Sequence, residues 1–176
     1  MEKTINIFKN LGPSLIKVEY LLTSVAYLVG IALVFKGVMA LKQVGEHKSQ
    51  MSQHHTLKEP IWLIFSGAML LYLPTGLNIM LQTVFGSTSI LSYDQVASSN
   101  QVMDSLKMFG SNLFLLVQVI GLIAFIRGWI LLAKSGSQGG HQQGSFGKGI
   151  MHIIGGTFAI NIVETLNVIN NTLYGT

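Results

Sequence analysis

Four long apolar stretches, separated by polar loops, dominate the pattern of this chain of 176 residues. They run from about Leu21 to Leu41, from Ile61 to Phe85, from about Met108 to Ala133 and from Gly149 to Tyr174. Each is as long as the roughly 20 residues that a helix needs to cross the hydrocarbon core of a bilayer. The pattern therefore predicts four transmembrane helices.

The chain repeats itself at a long period. Residues Gly30 to Gly37, which end Phe-Lys-Gly, return as Gly121 to Gly128, which end Ile-Arg-Gly, 91 positions later. Residues Thr83 to Ser87 return as Thr172 to Thr176 after 89 positions. A shared period in two separate patches is typical of internal duplication. The predicted fold is an all-α integral membrane protein whose four helices form two tandem-duplicated hairpins.

This interpretation divides the chain into four parts: an N-terminal amphipathic segment over 1–20, a first membrane hairpin over 21–85, a periplasmic connector over 86–107 and a second membrane hairpin over 108–176. The N-terminal segment carries charges among apolar positions and shows no signal-peptide cleavage pattern. We expect a short surface helix there, broken near Gly12-Pro13, and another in the connector from about Tyr93 to Met103.

Composition agrees with a membrane protein. Hydrophobic residues make up 49% of the chain and charged residues 10%, with a mean hydropathy of +0.52, whereas soluble domains carry roughly 25% charge. Cysteine is absent, so disulfides and thiolate chemistry are excluded. The sequence has no phosphate-binding loop, nucleophile elbow, paired carboxylates or convergent histidines, so we expect no enzymatic activity, no metal and no cofactor beyond a bound phospholipid.

The cations predict the orientation. Seven of the eleven Lys and Arg residues lie in or near the two hairpin loops, and four lie near the termini and the connector. Because basic residues favour the cytoplasmic side, this distribution places both hairpin loops, Lys42–Glu59 and Lys134–Lys148, in the cytoplasm. The N-terminus, the connector and the C-terminus then lie outside, on the opposite side of the membrane.

Two of these cations recur at equivalent positions, Lys36 and Arg127, inside predicted helices. One interpretation is that their long side chains extend to the interface, which is common and costs little. The alternative is that they contact lipid phosphates or line an aqueous path. The candidate lipid or lumen contacts are Lys36, Lys42, Lys48, Arg127, Lys134 and Lys148.

The fourth stretch has a polar face of asparagines and contains Glu164, the one acid within a predicted span. Asparagines between membrane helices usually form interhelical hydrogen bonds, and we assign Glu164 to the far interface rather than to an ion path. The candidate helix-packing and assembly residues are Gly155, Gly156, Ala159, Asn161 and Asn167. Pro74-Thr-Gly76 predicts a kink in the second stretch, and we expect no counterpart in the fourth.

The strongest local motif runs from Gly144 through Gly-Lys-Gly, His-Ile-Ile-Gly-Gly and Asn161 to Thr172-Leu-Tyr-Gly175. It resembles the inner-membrane IcmC/DotE family of Dot/Icm type IVB secretion systems, whose counterpart in conjugation is TraQ, and the related IcmD/DotP family shares the pattern. The likeness is specific over 144–175, and elsewhere it consists of length and span arrangement. It implies a membrane subunit of a secretion or conjugation apparatus.

Each half also resembles a conjugative pilin, with two apolar helices, a basic cytoplasmic loop and periplasmic termini. That likeness implies loop lysines facing a channel lumen or lipid headgroups. The first loop departs from it, because it is longer than the second and contains Glu46 and Glu59.

The leading hypothesis is therefore a non-enzymatic type IVB secretion or conjugation subunit that forms or lines part of the translocation path. Its expected partners are other type IV secretion subunits, further copies of itself and membrane lipids, without sequence-specific nucleic-acid binding. A stand-alone channel or transporter and a membrane assembly scaffold remain open as alternatives.

Overall fold

The computed structural model describes residues 2–48, 57–88, 111–136 and 145–175. Within them the chain forms six helices and no strand. The helices are α1 (Glu2–Lys48), α2 (Lys58–Leu71), α3 (Leu73–Phe85), α4 (Ser111–Ser135), α5 (Ser145–Ile160) and α6 (Ile162–Tyr174). The connector helix predicted from Tyr93 to Met103 lies outside the described residues, as do the first residues of the third stretch.

Helix α1 is longer than the sequence pattern predicts at both ends. It is continuous from Glu2, so the break expected near Gly12-Pro13 is wrong. Proline removes one backbone donor at a cost of roughly 3 kcal/mol, and the helical turns on both sides outweigh that loss here. At the other end the helix passes the predicted loop start at Lys42 and reaches Lys48 despite Gly45, and the Lys42–Glu46 pair one turn apart supports this stretch.

Helices α1 and α4 are each long and apolar enough to cross a membrane. The apolar parts are Ser14–Glu46 and Leu113–Ser135, with mean hydropathies of 2.0 and 2.2. Large apolar side chains are exposed along α1 at intervals of seven residues, at Leu21, Leu28 and Phe35. An exposed apolar surface of this extent is typical of contact with lipid or with another protein. The described part of the chain is all-helical, and its apolar helices are those of a membrane protein.

The second and fourth apolar stretches are not straight spans. Helices α2 and α3 meet at an angle of 89° at Tyr72, and α5 and α6 meet at 90° at Asn161. The kink predicted from Pro74 is confirmed. The expectation that the second copy has no counterpart is wrong, because Asn161 lies 89 positions after Tyr72 and breaks the helix without a proline. By length and composition, two helices of the described residues could cross a membrane, or up to four segments if each bent pair counts as one span.

The two copies agree closely in these bent segments. Shifting α3 by 89 residues, from 73–85 to 162–174, reproduces the bounds of α6. Both helices end at a glycine in the left-handed region, Gly86 at φ 73° and Gly175 at φ 67°. Glycine adopts that conformation without the steric penalty of a Cβ, and it commonly terminates helices in this way. The duplication therefore extends to the bends and the helix ends.

The chain packs as two compact units. One contains Met1–Leu22, Leu77–Ile123 and Gly155–Thr176, and the other contains Thr23–Gly76 and Ala124–Ile154. We call them the terminal unit and the loop unit, after the chain termini and the hairpin loops that they contain. Each hairpin contributes residues to both units.

Candidate helix-packing and lipid-contact surfaces

In the first hairpin, helices α1 and α2 approach through glycines. A Cβ added at Gly30 would lie 3.0 Å from the carbonyl oxygen of Gly67, and one added at Gly37 would lie 2.6 Å from Cγ1 of Ile64. Such distances leave no room for a side chain. The two helices are therefore in backbone contact over two turns, which maximises van der Waals attraction where lipid offers no hydrophobic driving force.

The second hairpin repeats these contacts at shifted positions. A Cβ at Gly128 would lie 2.6 Å from Cγ1 of Ile153 and 2.8 Å from the carbonyl oxygen of Gly149. Ile153 lies 89 positions after Ile64, and Gly128 lies 91 after Gly37. A Cβ at Gly121 would lie 2.7 Å from the backbone nitrogen of Ile160. The same interhelical contact is built twice.

The spacing of glycines in the sequence marks these contacts. Gly30 and Gly37 are seven residues apart, as are Gly121 and Gly128, which places both members of each pair on one helix face. The repeated motif predicts the end of an apolar helix, and in the structure it is also a packing face. The facing glycines, Gly67 and Gly149, had no pattern of their own to mark them.

The two bends have similar backbone geometry. Tyr72 has φ −101° and ψ 32°, and Asn161 has φ −108° and ψ 55°. In the first copy the Tyr72 carbonyl still accepts from the Gly76 N–H at 2.8 Å, and in the second the Asn161 carbonyl accepts from the Thr165 N–H at 3.0 Å. Each bend is thus one non-helical residue flanked by intact hydrogen bonds, and not an unwound segment.

Thr165 links the two arms of the second bend. Its hydroxyl Oγ1 lies 2.9 Å from the carbonyl oxygens of both Phe158 and Asn161, in hydrogen-bonding geometry. Phe158 belongs to α5 and Thr165 to α6. Helix ends leave carbonyls without intrahelical partners, and a hydroxyl can supply one. The side chain therefore stabilises the angle as well as the helix end.

Aromatic rings fill part of the loop unit. Trp62, Phe65, Phe125, Trp129 and Phe146 form a chain of edge-to-face contacts with ring centroids 5.5 to 6.2 Å apart. Such pairs contribute about 0.5–1.5 kcal/mol beyond their buried area. The rings come from α2, α4 and α5, so both hairpins supply them.

The predicted lipid or lumen cations lie at the surface of the loop unit. Lys36, Arg127, Lys134 and Lys148 are exposed, and Lys42 is exposed while pairing with Glu46 of the next turn at 3.6 Å. The side chain of Lys48 is outside the described part of the chain. Lys36 and Arg127 each precede the glycine that packs most tightly in its hairpin, and neither forms an ion pair among the described residues. Both are available to an anion.

The predicted assembly residues separate into buried and exposed groups. Gly156 and Asn161 are buried within the subunit, and half-buried Ala159 faces Gly121, whose added Cβ would lie 2.9 Å from the Ala159 Cβ. Half-buried Asn167 donates to the Glu164 carboxylate at 3.5 Å. Gly155 differs, because it is exposed and a Cβ there would meet nothing within 4 Å.

A narrow cleft occurs within the terminal unit. Its volume is about 60 Å³, enough for a few water molecules. Apolar side chains form most of the lining, with Glu19 and Gln118 as the polar ones. The cleft fits solvent rather than a substrate-sized molecule.

Comparisons with protein-family models, with curated proteins and with solved structures find no match to this chain.

Proposed function

We propose that this protein is a non-enzymatic subunit of a type IVB secretion or conjugation apparatus in a bacterial inner membrane. In this proposal copies of the chain associate through their helices, together with other secretion subunits, and form or line part of the translocation path. The choice of a type IVB secretion or conjugation apparatus rests on the resemblance of residues 144–175 to IcmC/DotE and TraQ.

The main support for association between copies is the exposed apolar surface around Gly155. On α5 the exposed side chains Met151, Ile154 and Phe158 surround this glycine, at which a Cβ would meet nothing within the chain. An exposed glycine flanked by large apolar side chains allows another helix to approach closely. The glycines inside the hairpins are already occupied by their own partners, so this one is free for a second subunit.

The cations of the loop unit give the assembly a second feature. Exposed Lys36 and Arg127 from one copy would repeat around a ring of subunits. A ring of basic side chains attracts lipid phosphates or acidic cargo. Anionic phospholipid is the expected bound molecule.

The test is the mass of the purified protein. The chain, of 19.2 kDa, is reconstituted in nanodiscs of phosphatidylethanolamine and phosphatidylglycerol, and its mass is measured by native mass spectrometry. A single large homomeric species, with retained phosphatidylglycerol, supports the proposal. A monomer or dimer contradicts the homomeric ring.

The paired bends support a second candidate, a stand-alone channel or transporter. Broken helices at equivalent positions in two repeats are a feature of transporter folds. Here both bends occur, at Tyr72 and Asn161, with nearly identical angles. Ion or solute flux through proteoliposomes containing only this chain would favour this candidate, and impermeable proteoliposomes would favour the secretion subunit.

A further inference from the structure

Helices α3 and α6 share a polar stripe in the same register. In α3 it consists of Thr75, Asn78 and Gln82, and in α6 of the residues 89 positions later, Glu164, Asn167 and Asn171. The spacing i, i+3, i+7 places three such residues on one side of a helix, within a sector of about 60°. The polar character of the three positions is kept in both copies, although only Asn78 and Asn167 are identical among them.

The opposite side of both helices is apolar. It carries Leu73, Leu77, Met80 and Val84 in α3, and Ile162, Leu166, Ile169 and Leu173 in α6. Both helices are therefore amphipathic over 13 residues. Helix α2 differs, because apart from the Trp62 indole its one polar side chain between Pro60 and Leu71 is Ser66, which is buried.

The exposure of the stripe indicates its surroundings. In α3 Thr75, Asn78 and Gln82 are all exposed, and in α6 Asn171 is exposed while Glu164 and Asn167 are half-buried. If α3 continued α2 across the bilayer, these groups would contact hydrocarbon, and an amide without a hydrogen-bond partner there costs several kcal/mol, about 2–7 by transfer measurements. The bend of 89° removes this conflict, because a helix perpendicular to the inserted arm runs along the membrane surface.

The lengths agree with this arrangement. The 14 residues of α2 and the 16 of α5 correspond to about 21 and 24 Å at 1.5 Å per residue. The hydrocarbon core is about 30 Å thick. Helices α2 and α5 are therefore shorter than the hydrocarbon core. An amphipathic helix in the interface lies about 5–10 Å inside the headgroup boundary, so a crossing helix that ends at this depth does not need the full thickness.

We infer that α3 and α6 are interfacial helices. Each hairpin crosses the bilayer with one long helix and one short helix, and then runs along the surface opposite its loop, with Thr75, Asn78 and Gln82 or their counterparts toward water and headgroups. The surface that they bind is the lipid–water interface. This holds whatever the assembled complex transports.

The test is a depth scan with spin labels. Because the chain has no cysteine, single cysteines are introduced from Pro74 to Phe85, excluding buried Gly76 and Leu81, and labelled in vesicles of phosphatidylethanolamine and phosphatidylglycerol at 3:1. Collision rates with oxygen and with a water-soluble nickel complex give the depth of each label. The inference expects a constant mean depth with an oscillation of 3.6 residues and with positions 75, 78 and 82 nearest water.

The control is the same scan over residues 113–124 of α4, excluding buried Phe114, Gly121 and Leu122, where depth should change steadily by about 17 Å. A steady gradient across α3 would overturn the inference and restore a bent span. Stripe positions shielded from both reagents would also overturn it, by placing the stripe against protein. The mass of the assembly is measured on the same vesicles. A small mass would contradict the proposed oligomer, whereas the depth scan alone tests the interfacial helices, so the two results can be told apart.

Charge substitutions provide a second test. Asn78→Lys should leave the membrane-inserted yield and the thermal unfolding midpoint unchanged, because the new ammonium would lie in the headgroup region. Val84→Lys is the matched control, because Val84 is exposed on the same helix but on its apolar side. It should reduce the yield several-fold. Equal loss in both variants would contradict the assignment of the two faces.

Discussion

Single glycines determine how closely the two helices of each hairpin approach. A Cβ at either Gly37 or Gly128 would meet both an isoleucine side chain and the backbone, but the nearest backbone atom lies 3.0 Å away at Gly37 and 2.8 Å away at Gly128. A side chain can change rotamer, but a backbone atom moves only with its helix. Gly128 should therefore be the less tolerant of the two positions.

Gly128→Ala should lower the free energy of unfolding by about 1–3 kcal/mol, because the added Cβ forces apart the backbones of α4 and α5. The measurement is unfolding by SDS in mixed micelles, followed by tryptophan fluorescence. Gly155→Ala is the control, since its Cβ would meet nothing within 4 Å. An equal loss in both variants would point to general helix effects rather than to packing.

The hydroxyl of Thr165 gives a second prediction at this scale. Thr165→Val keeps the branched shape but removes the hydrogen bonds to the Phe158 and Asn161 carbonyls. The expected loss of stability is about 1–3 kcal/mol, because the Phe158 carbonyl loses its hydroxyl partner, while the Asn161 carbonyl keeps the Thr165 N–H.

Thr165→Ser should restore most of that stability. Thr172→Val is a control within the same helix, because the Thr172 hydroxyl bonds only the Val168 carbonyl one turn back, at an exposed site. Unchanged stability in Thr165→Val would mean that the bend does not depend on this hydroxyl.

At the level of secondary structure, one of the two helix bends was predicted from the sequence and the other was not. Pro74 indicated a kink because it cannot donate a backbone hydrogen bond. Asn161 did not predict a bend in this way, although asparagine side chains compete with helical hydrogen bonding. Comparison of the copies at a shift of 89 residues, extended from the Thr83 patch back to Tyr72, would have placed a bend there.

The exposed face of α5 predicts an effect on assembly. Gly155→Leu should block oligomerisation without blocking membrane insertion, since the added side chain fills the approach surface while raising apolarity. Native gels of detergent extracts measure the assembly. Gly147→Leu is a suitable control, because Gly147 is also open on α5 and two turns away.

Gly156→Leu should behave differently from its neighbour. Gly156 is buried, so the leucine would disturb the fold of the subunit as well as its assembly. An unchanged oligomer in Gly155→Leu would show that this face is not an interface.

For the whole molecule, topology can be tested with single cysteines at Ser49, Ser98 and Gln143. The distribution of cations predicts that Ser49 and Gln143 are cytoplasmic and Ser98 is periplasmic. With an impermeant thiol reagent and a permeabilised outer membrane, only Ser98→Cys should be labelled. The interfacial placement of α3 and α6 preserves this result, because α2 and α5 still cross.

Labelling of Ser49→Cys and Gln143→Cys with protection of Ser98→Cys would invert the orientation. Labelling of one hairpin loop alone would require an odd number of crossings between the loops and would contradict duplicated hairpins.

The sequence by itself determined the helical membrane class, the duplication and the kink at Pro74, because hydropathy, internal likeness and the missing proline donor are properties of local residues. The continuity of α1, the bend at Asn161 and the division of α5 into buried Gly156 and open Gly155 were decided by tertiary structure. Gly155 and Gly156 are the same residue type, and only the packing around α5 makes one of them exposed and the other buried. An asparagine likewise bends a helix only where its surroundings satisfy the released carbonyls, as Thr165 does here.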